Sequence, residues 1–282
     1  RSTQGGSSAA SDVYKRQVFA LFVLFLYGPT LTIGILSFQG PSGGLTFPMN
    51  GVSLHWFRNL FQAQQVGDFG GSFGRSIVLG LAVMACTLVF SLLAGFAYRR
   101  RFAGSQGLFY LTLASLIIPS ILVSLGIGLM FDLLGLEPTW YGSAFGAHLT
   151  WTLPFGLLIM FAVFNRFDRS YEMAARDLGA SPWQTVRLVV LPLIAPSLFG
   201  VALFGLTLSY DEFARTLMVA GSFNTLPLEV FGMTTNVTTP VLYALGTLTT
   251  LFSFSLIGLV LLLMNLSAVS YTHLRAHETK AN

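Results

Sequence analysis

Six stretches of mostly apolar residues, roughly 18–38, 76–98, 107–131, 146–165, 191–212 and 241–266, leave this chain few folds to choose from. A helix rises 1.5 Å per residue, so about 20 apolar residues cross a hydrocarbon core of about 30 Å. In lipid every backbone polar group must be satisfied internally, which a helix does within itself. The runs lack the period-2 alternation of a membrane barrel. The expected fold is therefore all-α: a polytopic membrane protein with six transmembrane helices. Composition agrees. Hydrophobic residues make up 54% of the chain and charged residues 9%, against about 25% charged in soluble domains.

The two ends stand apart. Residues 1–17 and 269–282 differ in composition from everything between them and resemble translated sequencing-adapter read-through, so they are expected to be non-native tails and 18–268 the six-span domain. Between them lie ten basic and nine acidic residues, a net charge of +1 rather than the +4 of the whole chain. No positive excess remains to draw nucleic acid. The single cysteine, Cys86, lies in an apolar run and has no intrachain disulfide partner.

Arginines orient the spans, because cytoplasmic loops carry the excess of Lys and Arg. Arg99-Arg100-Arg101 follow the second span, and Arg166, Arg169, Arg176 and Arg187 follow the fourth. The loop after the third has Asp132 and Glu137 and no base; the loop after the fifth sets Arg215 against Asp211, Glu212 and Glu229. Both termini are then expected to be cytoplasmic and the 39–74 loop external. Within that loop Ser53–Phe61 reads as a short helix lying in the membrane interface, anchored by Trp56.

The segment 166–192 between the fourth and fifth spans is polar and punctuated. Asp168 or Ser170 can cap a short helix whose apolar stripe is Tyr171, Ala174, Ala175 and Leu178. Gly179 suits the left-handed residue that closes it. Ser181 caps a second helix with Pro182 at its first position, running through 186–190 to Leu191-Pro192. A structured segment that a membrane protein holds in water has something to touch.

The spacing Met173-Ala174-Ala175, three residues, Gly179, nine residues, Val189, one residue, Leu191-Pro192 resembles the EAA pattern (E-A-A … G … I-x-L-P) of ABC-importer permeases of the binding-protein-dependent type. Met173 occupies the Glu position, with Glu172 one residue earlier. Leu54–Phe61, Ala94-Gly95 to Arg101, and Leu206–Ala244 further resemble the second permease of spermidine/putrescine-type importers. The resemblance implies a bacterial inner-membrane, multi-pass permease, half of the path for a small solute, a polyamine being the best match. It implies that Glu172, Met173, Ala174, Ala175, Asp177, Gly179, Leu191 and Pro192 couple to a separate ATP-binding-cassette ATPase dimer. It also implies a second, related permease and an external solute-binding protein. Lipid surrounds the spans. No G-x-x-x-x-G-K-[ST] loop occurs, so the chain is expected to bind no cofactor, with ATP on the partner, and not to be an enzyme. The alternative is a stand-alone secondary transporter or channel.

Tyr210, Asp211 and Glu212, at the outer end of the fifth span, are candidates for a cationic solute path. Pro119, Pro154, Pro192 and Pro196 are expected to break helices or to pack; His148 reads as an interfacial or packed histidine; Gly126 and Gly128 would permit close helix approach. Gly70–Gly74 (G-x-S-x-G) and Gly40–Gly43 (G-x-S-G) match protease or hydrolase patterns by chance, since both are expected in a Gly-rich loop rather than on a strand–helix elbow or within a span.

Overall fold

The computed structural model describes residues 4–62, 67–100, 102–236 and 239–278, with side chains described over 12–62, 67–100, 102–235 and 239–262. Arg101, residues 63–66 of the 39–74 loop, and 1–3 and 279–282 of the end segments lie outside the described residues. The helices are α1 (Gln4–Leu36), α2 (His55–Asn59), α3 (Phe69–Tyr98), α4 (Ser105–Ile117), α5 (Ser120–Leu133), α6 (Ser143–Arg166), α7 (Ser170–Asp177), α8 (Pro182–Thr185), a π-helical turn (Val186–Val190), α9 (Leu191–Tyr210), α10 (Leu226–Asn236) and α11 (Val241–Glu278). Among the described residues there is no strand, only an isolated antiparallel bridge between Gln39 and Val52.

Five of these segments are long and apolar enough to cross a membrane: Asp12–Leu36, Phe69–Tyr98, Ser143–Arg166, Pro182–Tyr210 and Val241–Leu262. A sixth is reached by counting α4 and α5 as one broken span, bent by 105°. Of the prolines expected to break helices or to pack, Pro119 is the one at this break. Ile118 is extended (φ −70°, ψ 128°) and Pro119 starts the next helix. A proline ring disfavours helical backbone at the residue before it and removes the N–H that would continue the ladder. Pro154 and Pro196, by contrast, sit inside unbroken helices.

A correction concerns the start of α3. Gly70–Gly74 was expected in a loop, yet the helix begins at Phe69, capped by Asp68, whose carboxylate accepts from the Gly71 amide at 2.9 Å. Ser72 is buried and its hydroxyl donates to Phe69 O at 3.0 Å. This is a helix N-terminus, not a nucleophile elbow.

The chain divides into two compact units. In the unit formed by Arg1–Gly67 and Met233–Phe252, buried Gln39 organises the loop after α1: its Oε1 accepts from the Asn50 amide at 2.7 Å and its Nε2 donates to Gly44 O at 3.2 Å. Tyr243 donates to Leu45 O at 2.6 Å. Trp56 anchors α2 as a buried side chain rather than a surface one.

In the unit formed by Asp68–Gly232 and Ser253–Asn282, α3, α6 and α9 cross where side chains are small. Thr87 lies at the crossing, its Oγ1 2.7 Å from that of Thr152. A Cβ at Gly205 would come within 3.1 Å of Met84 Cα, and one at Gly156 would press on Ser91 and Thr87. Without a hydrophobic drive between helices in lipid, such close approach supplies the packing energy. Two apolar clusters complete this core, Leu79, Val83, Ala144, Ala147 and Val219 in one and Met160, Phe164, Val190, Ile194 and Val201 in the other. Gly128 meets Met218 O at 3.1 Å from a built Cβ, as close packing requires, whereas Gly126 faces open space.

Candidate functional site

The segment after α6 is built as two helices joined without slack. Phe167 leaves the helix in extended backbone (φ −73°, ψ 123°). Asp168 then accepts from the Ser170 amide at 2.9 Å, which holds its carboxyl below the usual range. Of the two residues offered as caps, Asp168 is the one engaged, though the residue at the cap position itself is Arg169. At the other end Gly179 has φ +85°, its amide donates to Arg176 O at 2.8 Å, and the Ala180 amide reaches back to Ala175 O at 3.0 Å. That pair of bonds is the Schellman closure, which a left-handed glycine permits at no steric cost. One residue later Ser181 and Gln184 form a reciprocal capping box, Gln184 Oε1 accepting from the Ser181 amide at 2.8 Å and Ser181 Oγ from the Gln184 amide at 3.3 Å. Pro182 occupies the first turn. The helix widens into the π turn 186–190, where the Leu191 amide donates to Val186 O, directly before Pro192 withdraws a donor from the ladder.

Glu172 and Met173 face different ways. The Glu172 carboxylate pairs with the Arg99 guanidinium, both side chains largely buried. Arg99 also lies over Phe164 at 5.2 Å and Phe167 at 5.4 Å, and its carbonyl accepts from Arg169 Nη2 at 3.2 Å. A cavity of about 540 Å³ opens beside this pair, lined by Arg100, Met173 and Arg176 among others. Met173, at the pattern's Glu position, is 60% exposed. Leu178 and Trp183 are 90% and 66% exposed, and Tyr171 and Leu188 are exposed too. Ala174, Asp177 and Gly179 are exposed and Ala175 half-buried; Leu191 and Pro192 are half-buried at the start of α9.

The other candidates do not converge. Tyr210 is buried, edge-on to Phe73 at 6.3 Å between centroids. Asp211 is exposed. Glu212 folds back to accept from the Arg215 amide at 2.9 Å; burial pushes its carboxyl up, against the pull of that amide. His148 is buried, with Nδ1 2.7 Å from Ser209 Oγ and Nε2 2.8 Å from Thr216 Oγ1, the packed histidine expected. Sequence reasoning missed the engagement of Arg215, which is fully buried, and the partner of Glu172.

Comparison with known proteins identifies the family. Residues 87–273 match the family described as "Binding-protein-dependent transport system inner membrane component". The chain is 29% identical over 251 residues to the spermidine/putrescine transport system permease protein PotC of Haemophilus influenzae, covering 88% of this chain and 96% of that protein. It is 28% identical over 239 residues to the putrescine transport system permease protein PotI of Escherichia coli, covering 82% and 83%. Among solved structures, a bacterial ABC transporter involved in import of the acidic polysaccharide alginate shares the fold, with a TM-score of 0.65 at 17% identity, over 93% of this chain and 97% of that one. With about two thirds of its length matched, the chain belongs to the binding-protein-dependent transport system inner membrane component family and is a multi-pass inner-membrane permease subunit, not an enzyme.

Proposed function

We propose that this permease subunit carries a polyamine-class cation, and that α7 and α8 are its coupling element, docked on a separate ATPase that hydrolyses the ATP. A second, related permease completes the path, and an external binding protein delivers the solute. The observation that carries the coupling reading is the α7–Gly179–α8 element itself: closed by its own hydrogen bonds, yet presenting Met173, Leu178 and Trp183 to whatever covers them. Exposed apolar side chains on an element that is already ordered fit a protein partner better than water. The solute reading is supported by the printed names of the relatives, which are spermidine/putrescine and putrescine permeases. Asp211, exposed at the end of the fifth span, is the carboxylate this reading assigns to such a cation. Family membership favours this reading over a stand-alone transporter or channel.

The test is co-expression with an ATPase, a second permease and a binding protein of the same importer type, followed by uptake of labelled putrescine and spermidine into proteoliposomes. Uptake should require ATP and the ATPase and should be competed by unlabelled polyamine. Uptake by the permease without the ATPase would overturn the coupling reading; competition by neutral sugars but not polyamines would overturn the solute.

A further inference from the structure

Two prolines of this chain each free a backbone carbonyl, and the two carbonyls lie at one place. In a helix the amide of residue i donates to the carbonyl of residue i−4, so Pro119 leaves Ser115 O without its donor and Pro154 leaves Thr150 O without its own. Ser115 O accepts instead from Arg215 Nη2 at 3.1 Å. Thr150 O accepts from Ser115 Oγ at 2.7 Å. Arg215 Nη1 donates to Thr150 Oγ1, and the guanidinium lies over the Trp151 ring at 4.9 Å. Its side chain is 0% exposed, and its own backbone is fixed by Glu212. An orphaned carbonyl in an apolar setting costs the desolvation of that group, and a charged donor is among the strongest replacements.

We propose that Arg215 is a positioning residue for translocation: it stands in for the amide that Pro119 removes, and so pins the broken third span and the fourth span to the loop that follows the fifth, making the three move as one body. The pin explains why a cation is buried at a helix break, and how the Ser115 carbonyl that Pro119 frees is satisfied. Arg is required rather than Lys, because one planar fork reaches Ser115 O and Thr150 Oγ1 while stacking on Trp151. The transport half of the proposal rests on the permease reading above; the hydrogen-bond half does not.

Two measurements test it. The first needs no transport: thermal unfolding of the solubilised chain across the cycle of wild type, Arg215→Lys, Pro119→Ala and the double variant. Arg215→Lys should lower the Tm by about 4 °C, and by less than half as much in the Pro119→Ala background, where residue 119 can again donate to Ser115 O. An equal drop in both backgrounds would overturn the surrogate role. The second measures solute carried per ATP hydrolysed by the assembled transporter. A mere folding defect lowers uptake and hydrolysis together and leaves that ratio unchanged. The positioning role predicts that Arg215→Lys lowers the ratio about fivefold or more, and an unchanged ratio would overturn it. A wild-type complex that carries no polyamine would instead fault the proposed solute, leaving the unfolding cycle to decide the hydrogen-bond half.

Discussion

The carboxylate of Glu172 is turned into its own protein and paired with Arg99, at the C-terminal end of α3, 73 residues away in sequence. Helix α7 is thereby fastened to the end of one span by charge, while the chain itself fastens it to the ends of α6 and α9. Both side chains are less than one-fifth exposed, so removing one partner leaves a poorly solvated charge. Glu172→Ala should therefore destabilise the subunit by about 3 kcal/mol, seen as a lower Tm. The reversed pair, Arg99→Glu with Glu172→Arg, should recover part of that loss, and if it unfolds at no higher temperature than Glu172→Ala the pairing is not what matters.

The turn between α7 and α8 makes a sharper demand on the backbone. Gly179 at φ +85° lies where an L side chain costs about 1–2 kcal/mol. Open space surrounds its Cβ position, so the cost is conformational and not steric. Gly179→Ala and Gly179→Val should thus lose ATPase association to similar extents, within a factor of about three. Ser181→Ala removes one half of the capping box and should cost about 1 kcal/mol. Amide exchange in 182–186 should rise in that variant.

Exposed apolar residues on the same element should behave in the opposite way. Leu178→Asp and Trp183→Asp touch little within this chain, so unfolding should shift by no more than about 0.5 kcal/mol. Co-purification of the ATPase should nonetheless fall more than about tenfold. Retained association would move the docking surface elsewhere.

Glycines at the crossing of α3, α6 and α9 separate packing from propensity. Gly205→Val would drive a side chain against the backbone of Met84 and should cost about 1–3 kcal/mol. Gly126→Ala meets nothing within 4 Å and should be neutral or slightly stabilising. Expression and Tm of the two variants compare them directly.

Hydropathy alone located the spans, because length and polarity in lipid leave a helix almost no alternative. Local chemistry located Gly179 and Ser181, since a left-handed closure and a capping box are written within a few residues. What could not be read is what depends on distant partners. Pro119, Pro154 and Pro196 look equivalent in sequence, yet only the first breaks its helix; Pro154 is tolerated where Ser115 Oγ supplies a donor from another helix. The start of α3 was hidden by three glycines that suggest a loop, while the cap that decides it is the single residue Asp68. Arg215 reads as a loop charge balanced by Asp211, Glu212 and Glu229, but Glu229 serves the Asp68 amide at 2.9 Å and Asn224 Nδ2 at 2.8 Å. A proline four residues after a Ser or Thr in an apolar run was the available signal, and it points to a freed carbonyl without naming the donor.

The π turn at Val186–Val190 accommodates one residue more than an α-helical turn over the same length. Taking up that residue would turn everything before it by about 100° and advance it by about 1.5 Å relative to α9. A rotation imposed on α7 and α8 therefore has a screw thread available at the entrance to the fifth span, with a pitch set by the backbone and a thrust bearing supplied by Pro192, which cannot join the ladder behind it.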